Sequence, residues 1–223
     1  IRDKRARKEK WRKGKSLGAN QKALPRLGAL QFIKQTESLL HKLEIMFNLT
    51  KQYNALLEVD AMTPAQRTTS LRRIFNRDIQ DNDKLSFRMK KIYPIPREGM
   101  DKLEMLFWHL TTKVVDHTTN HREYDRARSI RLHWIKFHIE ERKRNDMLIF
   151  STKNGREKRT YIYDKAEQYV IVLEPKEAKK KDAHGNEYIY PYYYMLTAYK
   201  LEGKDKMRNK IERLYQRRCD TLL

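Results

Sequence analysis

Apolar side chains recur every seven residues at Phe32, Leu39, Met46 and Tyr53, with Leu43 and Leu57 four positions after Leu39 and Tyr53. This spacing lays one apolar stripe along a helix and predicts a single amphipathic helix over 30–57. Thr36 and Thr50 interrupt the stripe, so it reads as a face packed on the chain's own core rather than a coiled-coil seam. Thr63-Pro64-Ala65-Gln66 then has the form of a capping box with proline at the first helical position, opening a second helix buried through Leu71, Ile74 and Phe75. Polar residues over 76–83 break the pattern. We therefore read 29–80 as an N-terminal helical module and 84–223 as a second, α+β domain.

Pro94 and Pro96 bar a central strand or a continuing helix over 85–95. A third helix is expected over 99–115, with Met100, Leu103, Leu106, Phe107, Leu110 and Val114 on one face and His109 beside it as a packing residue. Asp116, His117 and His121 have a spacing that invites a metal site, but Thr118, Thr119 and Asn120 favour a turn, and the segment reads as a helix–helix connection. A helix over 122–143 follows, with Ala127, Ile130, Trp134 and Phe137 or His138 along one side. The period then becomes extended. Runs at 147–150, 159–163, 169–173 and 187–201 carry the β-branched and aromatic residues of strands, and Asn154-Gly155 and His184-Gly185-Asn186 supply turns. The predicted fold class is α+β: the N-terminal helical module, then helices packed on a four-or-so-stranded antiparallel sheet. A basic helix over 203–218, with Met207, Ile211, Leu214 and Tyr215 inward, closes the chain.

Composition adds the partner. With 50 Lys and Arg against 29 Asp and Glu, the formal charge of +21 sets up a field that draws polyanions, and nucleic acid, RNA foremost, is the expected ligand. Residues 1–28 read as a basic arm for phosphate contacts, and the helices after it as a docking surface for a partner or inhibitor protein. No apolar run approaches the roughly 20 residues needed to span a bilayer, so no membrane partner is expected. A lone cysteine, Cys219, excludes an internal disulfide and a cysteine zinc site and fits a reducing, cytoplasmic setting. Asn48-Leu49-Thr50 matches a glycosylation acceptor but lies in a helical stretch and is set aside. The chain begins at Ile1 rather than Met and reads as a processed product or a piece of a longer protein.

Two islands in the last third carry chemistry: His138-Ile139-x-x-Arg142, predicted on a helix, and Thr197-Ala198-Tyr199, predicted on the last strand. Together with the intervening strands they resemble the nuclease superfamily that groups barnase, RelE-type toxins, colicin tRNases and poly-U-specific endoribonucleases, over residues 129–200, and most nearly its phage-encoded and polymorphic-toxin branches. The resemblance implies metal-independent, cofactor-free RNA cleavage by attack of the ribose 2′-hydroxyl on phosphorus. Carried across, His138 is the general acid or base, Arg142 the neighbouring cation, and Thr197 a hydrogen-bond donor to the scissile phosphate. Arg159 would stabilise charge in the transition state, and Tyr199 would donate a hydroxyl or stack a base. Tyr161 and Tyr163, with Lys136 and Lys143, would hold the nucleic acid. Where many members place a second histidine this chain has Lys143, and His133 lies on a different helix face from His138. The same basic surface would also serve a noncatalytic RNA- or DNA-binding protein, or a phage structural or packaging component. The tyrosines at Tyr190, Tyr192, Tyr193 and Tyr194 read as sheet packing before base stacking.

Overall fold

A computed structural model of the protein describes residues 35, 36, 38, 39, 42, 43, 46–143, 145–201 and 206–223. The basic arm predicted over 1–28 lies outside them, as does most of 29–45. From His41 onward the chain forms one unit.

Helix α1 (Pro64–Phe75) starts where the capping box predicts. The Thr63 hydroxyl accepts from the Gln66 N–H, and the Gln66 side chain accepts from the Thr63 N–H at 2.9 Å. The helix continues into a π-helical turn, Asn76–Gln80, that buries Asp78 and Ile79. The polar stretch read as a boundary is thus part of the packed structure: Leu57 and Phe75 before it and Ile79 within it share one core cluster with Phe107, Trp134 and Ile171 after it. Upstream, helical residues run to 50 rather than 57, and Asn54 takes a positive φ of 75° that ends the periodic stretch. Asn48, with no exposed surface, explains this ending in part. Its side chain donates to the Glu58 carbonyl (2.9 Å) and to Ser70 Oγ (3.1 Å) and accepts from the Glu58 N–H (2.8 Å), fixing the returning loop. Its amide is therefore part of the interior.

Two short strands, β1 (Ser86–Phe87) and β2 (Lys90–Pro94), precede α2 (Lys102–Thr111), which Asp101 caps through the Leu103 and Glu104 N–H groups. The helix stops at Thr111 because the next residues, Thr112, Val114 and Val115, are β-branched and favour extended backbone. They form β3 (Thr112–Asp116), paired with β4 (His121–Tyr124) in a hairpin where a helix connection was expected. Asp116 closes its turn, accepting from the Thr118 N–H at 2.8 Å and the Thr119 hydroxyl at 2.7 Å. The long helix predicted over 122–143 is two short ones, α3 (Arg126–Ser129), capped by Asp125, and α4 (Trp134–Ile139).

Strands β5 (Met147–Asn154), β6 (Glu157–Asp164), β7 (Tyr169–Lys181) and β8 (Glu187–Lys200) form the expected antiparallel meander. The sheet is larger and mixed: its order is β1-β2-β8-β7-β6-β5, and β2 joins β8 in parallel. Pro94 is accommodated as the last residue of β2, with β1 pairing only with Lys90 and Lys91.

Alternation divides the sheet into two faces. One carries Ile162, Ile171, Leu173, Tyr193, Met195 and Ala198 against α1, α2 and α4, with Trp134 at its centre. Burial of each Ile, Leu or Met side chain among them stabilises by about 1.5–3 kcal/mol. The other face carries Phe150, Tyr163, Val170 and Val172, which pack at one end against Ile211, Leu214 and Tyr215 of α5 (Lys206–Gln216). A β-bulge interrupts β8: Val172 pairs with Thr197 but Leu173 with Met195, so Leu196 is the extra residue. Among the described residues no helix is long and apolar enough to cross a membrane.

Candidate functional site

The second face of the sheet gathers polar and aromatic groups beside the cluster formed with α5, and Tyr161 and Tyr199 pack against that cluster. In register across the strands, Tyr161 lies opposite Val172 and Val172 opposite Thr197. The next row is Tyr163, Val170 and Tyr199. Arg159, two residues before Tyr161, points to the same face and pairs through Nη1 with Glu174 Oε1 at 3.1 Å. Lys176 Nζ reaches the same carboxylate oxygen at 3.0 Å.

Strand β2 pairs with β8 only as far as Met195, so beyond it the outer edge of β8 is met by α2 and α3. From that edge Arg128 reaches over the sheet. Its Nη1 donates to the His109 carbonyl at 2.8 Å and to Thr197 Oγ1 at 3.4 Å, and its guanidinium carbon lies 5.6 Å from the centre of the Tyr199 ring. Asp125, the cap of α3, sits 3.2 Å from Nε. Local structure thus aims this arginine: the residue that starts the helix also anchors the guanidinium one turn later.

Several arginines act on the groups at this edge. Burial, together with Arg122, Arg97 and Arg128, pushes the His109 imidazole below its ordinary 6.5, leaving it neutral at neutral pH. Arg122 is pinned by Thr112, donating to Oγ1 at 2.8 Å and to the carbonyl at 2.9 Å. Burial and the nearby Arg128 lower its own affinity for a proton. Clustered like charges of this kind are relieved by a bound anion. Burial, with Tyr161 beside it, raises the Tyr199 phenol against the opposing effect of Arg128, and burial likewise raises Tyr161, so both stay protonated donors.

The other residues singled out in the sequence lie elsewhere. His138 is 2% exposed on the opposite, helix-covered face. Its Nδ1 lies 2.7 Å from the Trp134 carbonyl and its Nε2 3.0 Å from Asp164 Oδ2, so both ring nitrogens face acceptors inside the core. Lys143 donates to both Asp164 oxygens at 2.9 Å and to the Tyr53 hydroxyl at 3.1 Å, and Tyr53 donates to Asp164 at 2.7 Å. Burial raises the Asp164 carboxyl, but the bonds from His138, Tyr53 and Lys143 outweigh it and hold the group well below the usual carboxylate range. Burial and the bond to Asp164 push Tyr53 up to about 12. Arg142 pairs with Glu140 at 2.5 Å, and Lys136 lies 3.8 Å from the same carboxylate. Both line an open pocket of about 590 Å³ with Tyr53 and His133. Tyr163 shares the face of Tyr161 but is 2% exposed, in the cluster formed with α5. The structure therefore brings Arg159, Tyr161, Thr197 and Tyr199 to one face and separates them from His138, Arg142, Lys136 and Lys143.

No protein-family model, curated protein or solved structure matches the chain. Geometry and charge are what remain. At this edge Arg128 and Arg122 carry no role in the sequence reading, and His109 is there a packing residue. The one local signal for Arg128 is Asp125 three positions before it, which serves equally as a helix cap. Among the described residues no group of three or more His, Cys, Asp or Glu is arranged to hold a metal ion.

Proposed function

We propose that the protein is an endoribonuclease whose phosphate-binding centre is Arg128 with Thr197, at the open edge of β8. The observation that carries this reading is the single guanidinium joined to the Thr197 hydroxyl and to the backbone carbonyl of His109, and set over the Tyr199 ring. A guanidinium can contact two phosphate oxygens at once and spread the charge that develops on phosphorus. His109 is the only histidine of this reading. It removes the proton from the ribose 2′-hydroxyl, the freed oxygen attacks phosphorus, and the bond to the 5′-oxygen breaks. Tyr199 gives its hydroxyl proton to that leaving oxygen and recovers one from solvent. The products are a 2′,3′-cyclic phosphate and a 5′-hydroxyl. In this reading the arginine cluster supplies the positive charge at phosphorus, as the barnase-like resemblance implies, but His109 replaces His138 because a ring bonded on both sides in the core cannot meet a substrate.

Incubating the purified protein with end-labelled RNA in chelator is expected to yield fragments ending in cyclic phosphate. Intact RNA after prolonged incubation rejects the enzyme reading and leaves the noncatalytic nucleic-acid-binding one. The pH dependence identifies the base. A neutral imidazole is required, protonation removes it, and its affinity for a proton is lowered, so the rate falls only as pH drops through a value below 6.5. His109→Gln is expected to remove that acid limb. A limb that persists unchanged in the variant assigns the base to another group.

A further inference from the structure

The bulge at Leu196 has a result that reaches beyond the cleavage centre. It lets Tyr190, Tyr192 and Tyr194 share the face of Thr197 and Tyr199, while Tyr193 alone of that run turns into the core with no exposed surface. Tyr93 of β2 joins them, in register with Tyr194. The Tyr190 and Tyr192 rings are stacked at 6.2 Å, Tyr192 meets Tyr194 edge-on at 5.2 Å, and Tyr93 meets Tyr192 edge-on at 5.6 Å. The Tyr93 and Tyr190 hydroxyls lie 3.3 Å apart.

Cations interleave with these rings. Tyr192 is flanked in register by Lys91 on β2 and Lys176 on β7, and Lys180 Nζ stands 3.5 Å over the Tyr190 ring. Ala178, opposite Tyr190, adds no bulk, and an open pocket of about 290 Å³ lies among Tyr93, Lys102, Ala178, Lys180, Tyr190 and Tyr192. A hydrogen bond from Tyr192 first, then burial, pushes the Tyr194 phenol up to about 12, and the bond to Tyr190 raises Tyr93. The rings thus stay uncharged and do not repel phosphate. Half-buried aromatic faces between lysines are the surface that unpaired bases use: rings stack on the bases while ammonium groups follow the backbone.

We propose that Tyr93, Tyr190, Tyr192 and Tyr194, with Lys91, Lys176 and Lys180, form a stacking platform for unpaired bases of a single-stranded RNA running from the cleavage centre along β8. The proposal rests on the ribonuclease reading for the identity of its ligand. It adds a substrate requirement, since a duplex has no free base faces to offer. The sheet order supports the continuity: Arg159 pairs with Glu174, Glu174 lies opposite Tyr194, and Tyr194 opposite Tyr93, so the platform and the arginine region are consecutive positions of one surface.

The test compares binding of three fluorescent probes by anisotropy: a 12-nucleotide single-stranded RNA, the same RNA in a duplex, and an abasic oligomer of equal charge. The unsubstituted protein is expected to prefer the single strand. The double variant Tyr190→Leu/Tyr192→Leu keeps apolar strand residues, and is expected to lose about 10- to 100-fold in single-strand affinity while binding the other two probes as before. Lys180→Ala is expected to weaken all three probes alike and to flatten the salt dependence. Equal affinity of the unsubstituted protein for single-stranded and abasic probes, or an equal loss on all three in the tyrosine variant, overturns the platform. Cleavage of a dinucleotide, too short to reach the tyrosines, separates the two readings. If the ribonuclease reading holds, the tyrosine variant cleaves it at the unsubstituted rate; if the protein cleaves nothing yet still prefers the single strand, the platform stands without the chemistry.

Discussion

Replacing Arg128 by alanine is expected to slow RNA cleavage by about 10²- to 10³-fold, the usual consequence of removing one group that stabilises transition-state charge. One terminal nitrogen is already held by the His109 carbonyl and the Thr197 hydroxyl, and Asp125 stands beside Nε, so the plane of the fork is set before any substrate arrives. Preorganisation of this kind avoids the reorganisation that water would need. Arg128→Lys retains charge but not the planar fork, and is expected to remain at least about tenfold slower than arginine. The measurement is the single-turnover rate of cyclic-phosphate formation, taken beside a urea melt that shows the variants folded. A folded Arg128→Ala protein that cleaves within threefold of the original removes the centre from this edge of the sheet.

The second large effect concerns stability. Asp164 has no exposed surface and accepts from His138, Lys143 and the Tyr53 hydroxyl, tying α4, β6 and the loop after residue 50 together. Asp164→Ala would leave an imidazole and an ammonium facing a void, and is expected to cost about 3–5 kcal/mol, as breaking a buried charge pair from one side does. The pH dependence has a definite sign. The folded group is depressed below its ordinary 3.8, so its contribution is complete above that value and is lost as pH falls, by about 1.4 kcal/mol per unit. Urea melts at pH 7 and pH 3 should therefore show the gap between the original protein and Asp164→Ala narrowing on acidification. A constant gap would mean the cost is one of packing. His138→Ala is expected to be destabilised also, since its ring sits among Trp134, Phe137, Tyr53 and Tyr169. The fraction that folds should cleave RNA at the original rate. Loss of cleavage in fully folded His138→Ala would return the catalytic role to α4.

The identity of His138 illustrates how a local pattern misleads. A histidine on a helix beside an arginine offers chemistry in one dimension. In three dimensions a carboxylate 26 residues later claims the ring. Nothing between His138 and Asp164 in the chain advertises that bond, because it forms only when α4 packs on β6. Arg159 and Tyr161 were legible for a simpler reason. The Asn-Gly turn fixes the β5–β6 hairpin, and strand alternation then places both on one face. The β3–β4 hairpin was missed because the apolar period of α2 continues formally through Val114, whereas the β-branched run after Thr111 ends the helix.

By itself the sequence determined the α+β class, the capped start of α1, the four-stranded meander and the net positive charge, because caps, turns, alternation and net charge are local or additive properties. Tertiary structure decided the rest. It brought β2 alongside β8 in parallel, carried Arg128 from a helix onto Thr197 of the last strand, and buried the network of Asp164. It also decided the tyrosines: strict alternation would set Tyr194 and Thr197 on opposite faces, and the one extra residue at Leu196 puts them on the same one. A bulge is specified by how two distant strands fit together, so only their pairing reveals it.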